Sequence, residues 1–550
     1  MPSKLTLLFL AAGLALAGCV RSDLRECDLI DQYQRELVSR GVQSRLTDEP
    51  CGLLRPSEAT VPPLEVVQEE GQLPVLKLSL EEAIHRALAN SQEIRVVSYD
   101  PSIARQELIA AEAEFDVISF ANFLYQKDDV RTDSLLAGNE TLIKTFSAGL
   151  RQRTITGASW EASYSWTRTY SDNPFQLNRT QYEPVLQLQA IQPLLRNAWS
   201  TVNLAGVRIA RLNERISRAD FRRQVEETLG EVITTYWQVF QARGDIEIQE
   251  VLLAQTRETL RRIEARAEEG LASDATVQQS RAAVEGRFAE LLRARKRLED
   301  VQDTLSRLIA DRQLNLLCEY KVLPTTPPVT DLVELDVADQ LVTALRCNPV
   351  LEQARLAISV ADVNVTVAKN QTLPQLNLVA SGQIQGLGAT RDNAHDSFSG
   401  GDYASYSFGL EFEYPLGNRA AEADLRRFRL EKLKTVTALQ NVADQVAVAV
   451  RERVRQVQLN HQEVRAYRAA TEAALAQVNA LQAEDETRAR LTPEFLQVKL
   501  QAQGTLAEAR RNELRAVVSY NAALADLARI TGSILDLHQV ELAMPAVLED

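Results

Sequence analysis

The sequence predicts a mixed α and β membrane protein, built from an internal duplication, in which alternating strands form a transmembrane β-barrel and long paired helices form a tube wall. Three observations predict this. The chain opens a helix in the same way twice, near Leu78 and near Leu335; strand blocks with apolar/polar alternation follow each opening; and each block leads into a very long helical tract without proline.

Composition agrees with this class. Of 550 residues, 45% are hydrophobic and 25% charged, with Ala, Leu, Gln, Glu and Arg crowding the middle and the end, a mixture that favours long helices. The net charge of −14 argues against a nucleic-acid partner, because phosphate binding needs clustered positive charge. The many arginines alternate with Glu and Asp at helical spacing and read as solvated, ion-paired faces.

The amino terminus carries the sharpest local signal. Lys4 supplies a positive start, Leu5 to Ala17 an apolar run too short to span a bilayer, and Leu16-Ala17-Gly18-Cys19 closes it. This resembles a bacterial lipobox. The resemblance implies that residues 1–18 are a lipoprotein signal peptide, that Cys19 is acylated, and that Val20, in place of an Asp, permits delivery to the outer membrane. Residues 19–76 are polar, contain proline and lack sustained periodicity, so they read as a tether and wrapping segment. Four further cysteines, Cys27, Cys51, Cys318 and Cys347, allow disulfides in an oxidising compartment; Cys27–Cys51 with Cys318–Cys347 is the nearest-neighbour choice among three connectivities. No spacing among them suits zinc, and His85, His395, His461 and His538 stand apart, so neither a metal nor another cofactor is expected.

The first repeat is placed at 77–330. Ser79 and Glu82 have capping-box spacing at the start of a helix through Leu88. The second repeat is placed at 331–535, with a tail at 536–550; Leu341, Ala344, Leu345 and Leu351 fall where Ile84, Ala87, Leu88 and Ile94 fall in the first. Each strand block ends alike, in Gln192-Pro193-Leu194 and in Tyr414-Pro415-Leu416.

Within the blocks, Tyr406, Phe408, Leu410, Phe412 and Tyr414 alternate with Ser405, Ser407, Gly409, Glu411 and Glu413. Leu376, Leu378, Ala380 and Ile384 alternate with polar neighbours, as do Trp160, Tyr164, Trp166 and Tyr170. Segments of roughly 10–13 residues with one apolar side suit tilted membrane strands around a wet interior. The openings are about 257 positions apart and the exits only about 222, so the first block is longer by some 35 residues. Its excess also alternates, from Phe146 to Arg151, then turns at Thr154-Ile155-Thr156-Gly157 and returns through Trp160 to Tyr170, as a hairpin in the barrel wall would, the alternative being an extracellular hairpin above the membrane.

The tract from Asn197 to Glu269 steps through Val225, Leu229, Val232, Tyr236 and Val239, and the one from Gly417 to Glu486 through Val446, Val450, Val454 and Val457. At 1.5 Å per residue each extends on the order of 100 Å, a tube wall rather than a globular core. Gly270 and Ser273 punctuate the first tract and Thr492-Pro493 the second, so each returns as an antiparallel hairpin.

Taken together, the lipobox, duplicated openings, alternating strands, Pro-Leu exits and paired helices resemble the TolC-type outer membrane efflux protein family, lipoprotein branch. The resemblance runs from Leu78 to Ile530. It implies a homotrimer whose chains share one outer-membrane barrel, continuous with a periplasmic α-helical barrel; the extra hairpin in the wall gives eighteen strands per trimer, and the extracellular alternative leaves the family's twelve. It also implies partners: outer-membrane lipid, a periplasmic adaptor (membrane fusion protein) and, through the adaptor, an inner-membrane transporter. The family's adaptor-contacting turn falls on Glu269, Gly270 and Leu271 in the first copy, with Thr276 where the family has an Asp. In the second it falls on Thr487, Arg488 and Ala489, without the Gly and with Glu494 at the Asp position. The family's periplasmic gate maps near Asn479, with Glu484, Asp485 and Glu486 as acidic substitutes.

The reading is therefore an exit duct of a tripartite efflux or type I secretion system, lipid-anchored in the outer membrane and not an enzyme: no phosphate loop, nucleophile elbow or His-rich spacing occurs. The alternative is a structural lipoprotein that spans the periplasm without conducting. The transported substrate is not legible.

Overall fold

The computed structural model describes residues 66–67, 74–131, 138–173, 175–311, 320–401, 403–487 and 492–540. The described residues fall in one unit, Pro63–Asp550. Cys19, Cys27, Cys51 and Cys318, with the signal peptide and nearly all of the tether, lie outside them.

Ser79 caps the first helix by the expected reciprocal box: its hydroxyl accepts from the Glu82 N–H and the Glu82 carboxylate accepts from the Ser79 N–H at 2.9 Å. This helix, α1 (Leu80–Asn90), is followed by α2 (Gln92–Val97) and α3 (Tyr99–Glu112). Before it, β1 (Val66–Val67) and β2 (Val75–Leu78) form a small sheet with β7 (Lys321–Pro324), β2 and β7 running parallel.

The first strand block contains four strands: β3 (Ile118–Asp129), β4 (Glu140–Arg153), β5 (Ser159–Ser171) and β6 (Thr180–Pro193). A short helix α4 (Ser200–Asn203) then leads to α5 (Ala205–Glu268), which turns back as α6 (Asp274–Ile309). The second half repeats the plan with α7 (Val337–Cys347), α8 (Pro349–Gln371), β8 (Gln375–Gln385), α9 (Arg391–Gly400), β9 (Ala404–Glu413), α10 (Arg419–Thr487), α11 (Pro493–Thr531) and the short α12 (Ile534–Leu537).

The duplication is visible in burial. Ala87 and Ala344 are both fully enclosed, and Ile94 and Leu351 are both buried. The valine and leucine stripes of the long helices are the core: Val225, Leu229, Val232, Tyr236 and Val239 pack with α1 and α6, while Val450, Val454 and Val457 pack with α11. Each fully buried side chain of this size contributes roughly 1.5–3 kcal/mol. A buried tyrosine ties a connecting segment to each cluster. The Tyr236 hydroxyl donates to the Leu78 carbonyl at 3.2 Å and accepts from the Thr326 N–H; the Tyr520 hydroxyl donates to the Asp331 carbonyl at 2.8 Å and accepts from the Val333 N–H.

One boundary differs from expectation. The first long helix begins at Ala205 rather than Asn197, because Asn197 and Trp199 both take positive φ (61° and 71°) where the chain swings from strand to helix. Cys347, at the end of α7, is half-buried with a free thiol, while Cys318, its expected partner, lies outside the described residues.

Candidate functional site

The six long strands form one antiparallel sheet in the order β3-β4-β5-β6-β8-β9, so the excess hairpin is part of the sheet. Its turn is tight: the Gly157 N–H donates to the Thr154 carbonyl at 2.9 Å, and Gly157 has φ +87°. The turn lies at the helical end of the sheet, where the Trp199 N–H reaches the Thr156 carbonyl at 2.9 Å.

The register sorts every strand onto two faces. Phe412, Leu410 and Phe408 of β9 stand opposite Leu376, Leu378 and Ala380 of β8; Leu186 of β6 stands opposite Ile384 of β8 on one side and Tyr164 of β5 on the other; Trp166 pairs with Phe146, and Phe146 with Phe123. All of these share one face. The opposite face pairs Ser381 with Ser407, their hydroxyls 2.8 Å apart, Gln187 with Gln383, Ser163 with Gln187, and Thr145 with Thr167, hydroxyls 3.1 Å apart. An apolar face can meet lipid, and a hydroxyl- and amide-lined face can border water. Among the described residues no helix is long and apolar enough to cross a membrane.

The far end of the long helices holds the predicted contact residues. Glu269 and Gly270 are exposed, Leu271 is half-buried, and Gly270 takes φ +73° with open space around it. Ser273 caps α6 by accepting from the Thr276 N–H at 3.3 Å; Thr276 is itself buried, its hydroxyl 2.8 Å from that of Ser273. Thr487 ends α10, and Arg488 and Ala489 lie outside the described residues. Thr492 caps α11 with Pro493 in its first turn.

The gate candidates separate. Asn479 and Glu484 are exposed. Asp485 is only 2% exposed, and this corrects its assignment to a pore-lining ring. Its carboxylate accepts from Lys499 Nζ at 2.6 Å and lies 3.3 Å from Arg266 and 3.8 Å from Arg262, so it is consumed inside the protomer. Burial alone would raise its pKa; the Lys499 hydrogen bond and charge, with the two arginines, outweigh this and hold it below the ordinary carboxylate value. Beneath it, Ile263, Val277, Phe495 and Leu496 form a shared apolar cluster, so the two helical hairpins are joined near their tips. No local pattern announces this network, because Arg266 comes from one hairpin and Asp485 and Lys499 from the two helices of the other. Among the described residues no group of His, Cys, Asp or Glu could hold a metal.

Comparison with known proteins follows the same outline. The model of the family described as outer membrane efflux protein matches residues 159–311 and 341–533, more than half of the chain. Comparison with curated protein sequences gives no match. Among solved structures, a membrane protein from Pseudomonas aeruginosa is similar at 17% identity and TM-score 0.62, covering 82% of this chain and 93% of that one. The outer membrane protein VceC from Vibrio cholerae has 17% identity and TM-score 0.60, covering 82% and 96%. The CmeC outer membrane channel of Campylobacter jejuni has 14% identity and TM-score 0.59, covering 83% and 86%. At these identities the likeness establishes the fold.

Proposed function

The chain belongs to the outer membrane efflux protein family, and from that premise we propose that it is the exit duct of a tripartite efflux or type I secretion system. It is an outer-membrane channel with a periplasmic helical part and not an enzyme. Substrates would pass to it from an inner-membrane transporter through a periplasmic adaptor seated on the helical tips, around Glu269, Gly270 and Leu271 and around Thr487, Arg488 and Ala489. Cys19 would carry the acyl anchor; Cys19→Ala then abolishes incorporation of labelled fatty acid, and labelled mutant protein would refute the anchor.

One observation carries the reading: a six-stranded sheet with a single apolar face ends in two open edges, β3 and β9. Open edges are not tolerated in lipid, because their backbone donors and acceptors would go unanswered. Copies of the chain must close the sheet, β9 of one against β3 of the next, and the family's trimer supplies three. The polar face then lines the bore. Purified protein in planar bilayers should show discrete conductance steps. Silence would favour the alternative of a non-conducting scaffold, for which the hydroxyl- and amide-lined face has no use. Crosslinking from Glu269→Cys, an exposed position beside Gly270 with ordinary backbone geometry, should recover the adaptor in intact cells.

A further inference from the structure

The apolar face of the sheet is interrupted by one row of positive charge. Across the register, Tyr125 of β3 pairs with Lys144 of β4, Lys144 with Arg168 of β5, and Arg168 with Tyr182 of β6. These four stand on the face that carries Phe146, Trp166 and Leu186. Tyr182 is then bridged to Gly388, just before α9, which lies against this face with Ala394 fully buried and Phe398 5.8 Å from the Tyr164 ring. That placement brings the Arg391 guanidinium to 6.0 Å from the Tyr182 ring centre, beside that of Arg168 at 5.9 Å; Lys144 Nζ is 5.2 Å from the Tyr125 ring.

The position of the row is informative. Arg168 is nine residues beyond Ser159, which starts β5 at the helical end. At about 3.3 Å per residue and a tilt of about 40°, it sits some 23 Å along the membrane normal, close to the outer edge of an apolar band about 25 Å tall. Head groups begin there. The neighbouring row toward the membrane interior is wholly apolar, with Phe123, Phe146, Trp166 and Pro184. In the neighbouring row outward, Lys127 is answered by Glu140 at 3.1 Å. No carboxylate answers Lys144, Arg168 or Arg391 among the described residues, and Arg168 Nε is buried without a hydrogen-bond partner.

We propose that Lys144, Arg168 and Arg391 bind the phosphate of a phosphorylated lipid in the outer leaflet, between Tyr125 and Tyr182. The guanidinium fork matches phosphate oxygens, the tyrosines suit the polar–apolar boundary, and the apolar row receives the acyl chains. A protein partner is the weaker fit, because the row lies on the lipid-facing side and continues into tail-facing side chains. The proposal rests on that face meeting lipid, which is tested separately.

The experiment is native mass spectrometry of the detergent-purified full-length protein with added lipid A, a bisphosphorylated glycolipid, alongside the same glycolipid without phosphates. The wild type should retain lipid A and not the phosphate-free form. Lys144→Gln should weaken retention about tenfold, and Lys144→Gln with Arg168→Gln on the order of a hundredfold, taking each charge-assisted bond at the low end of its range. The charge-preserving pair Lys144→Arg and Arg168→Lys should retain most of it, which separates loss of charge from loss of folding. Equal retention by the wild type and the double Gln variant would overturn the site. So would displacement by inorganic phosphate at the lipid's own concentration, because the phosphate would then be held without its lipid. Trp166 fluorescence in the same samples reports the premise: quenching by acyl-chain probes keeps the face in lipid whatever the site does.

Discussion

Lys499 of α11 donates to the carboxylate of Asp485 of α10 at 2.6 Å, in a pocket where Asp485 is 2% exposed and Arg266 of α5 approaches from the other hairpin. One carboxylate thus joins three helices just behind the tips. Removing one partner of a buried pair typically costs about 3–5 kcal/mol, since the remaining charge loses its answer. Asp485→Ala should therefore loosen the tips: backbone hydrogen exchange should rise in 474–487 and 493–506 and stay unchanged in α1. The pH dependence has a definite sign. Asp485 has a depressed folded pKa, so its contribution is present above the unfolded value of about 3.9 and is lost only as pH falls through the folded one. Protection at the tips, taken relative to the intrinsic exchange rate at each pH, should thus be flat between pH 5 and pH 8; a step within that window would assign the contact to another group.

Glu226 behaves in the opposite way. Burial pushes its carboxyl up to about 7, against the Arg222 hydrogen bond at 2.8 Å and its charge. With the folded pKa above the unfolded value of about 4.3, the native state holds a proton that the unfolded chain has released. Stability is therefore lost as pH rises from about 4.3 to 7, with a penalty of up to about 4 kcal/mol above that. Glu226→Gln removes the titration. The thermal midpoint of the variant relative to wild type should climb between pH 5 and pH 8. A difference that stays constant across that range would contradict the shift.

Gly270 sits at φ +73° with no neighbour within contact distance, so a substitution there acts through the backbone rather than through a clash. An L-residue in the left-handed region costs roughly 1–2 kcal/mol, and β-branching adds to this. Gly270→Val should redirect the turn, lowering efflux and adaptor crosslinking while leaving outer-membrane assembly intact. Full efflux and full crosslinking in the variant would mean that the turn is not where the adaptor sits.

Legibility in the sequence followed the strength of local periodicity. β5, β8 and β9 were readable because apolar and polar residues alternate along them, and the long helices because Val225 to Val239 and Val446 to Val457 keep a helical step. β3 was not readable: Phe120 and Leu124 fall on one face and Phe123 and Tyr125 on the other, which erases the period of two. α9 was hidden by its polar residues, Arg391, Asp392, His395 and Asp396; only its contact with the sheet through Ala394 and Phe398 explains its place. The tip network was invisible for another reason. Asp485 reads locally as one of three acids at a helix end, and only packing of distant segments removes it from solvent. The cationic row is likewise a product of register, since Lys144, Arg168 and Arg391 share no motif.

The strand number of the closed barrel is the last consequence. The hairpin formed by β4 and β5 is paired along its full length on both sides, Leu150 with Ser119 and Trp160 with Ala190 among others, and its Trp-Tyr side continues the apolar face of β8 and β9. A hairpin standing clear of the membrane would need neither feature. With six strands from each chain, the proposed trimer would close with eighteen, an even count whose diameter is about half as large again as that of a twelve-strand barrel, because diameter grows roughly linearly with strand number. Depth-dependent quenching tests this directly. Trp160, near the helical end, and Trp166, about two-thirds of the way across the band, should both be quenched by acyl-chain probes, with Trp166 responding to the deeper labels. Quenching of both by aqueous probes alone would take the hairpin out of the wall and leave twelve strands.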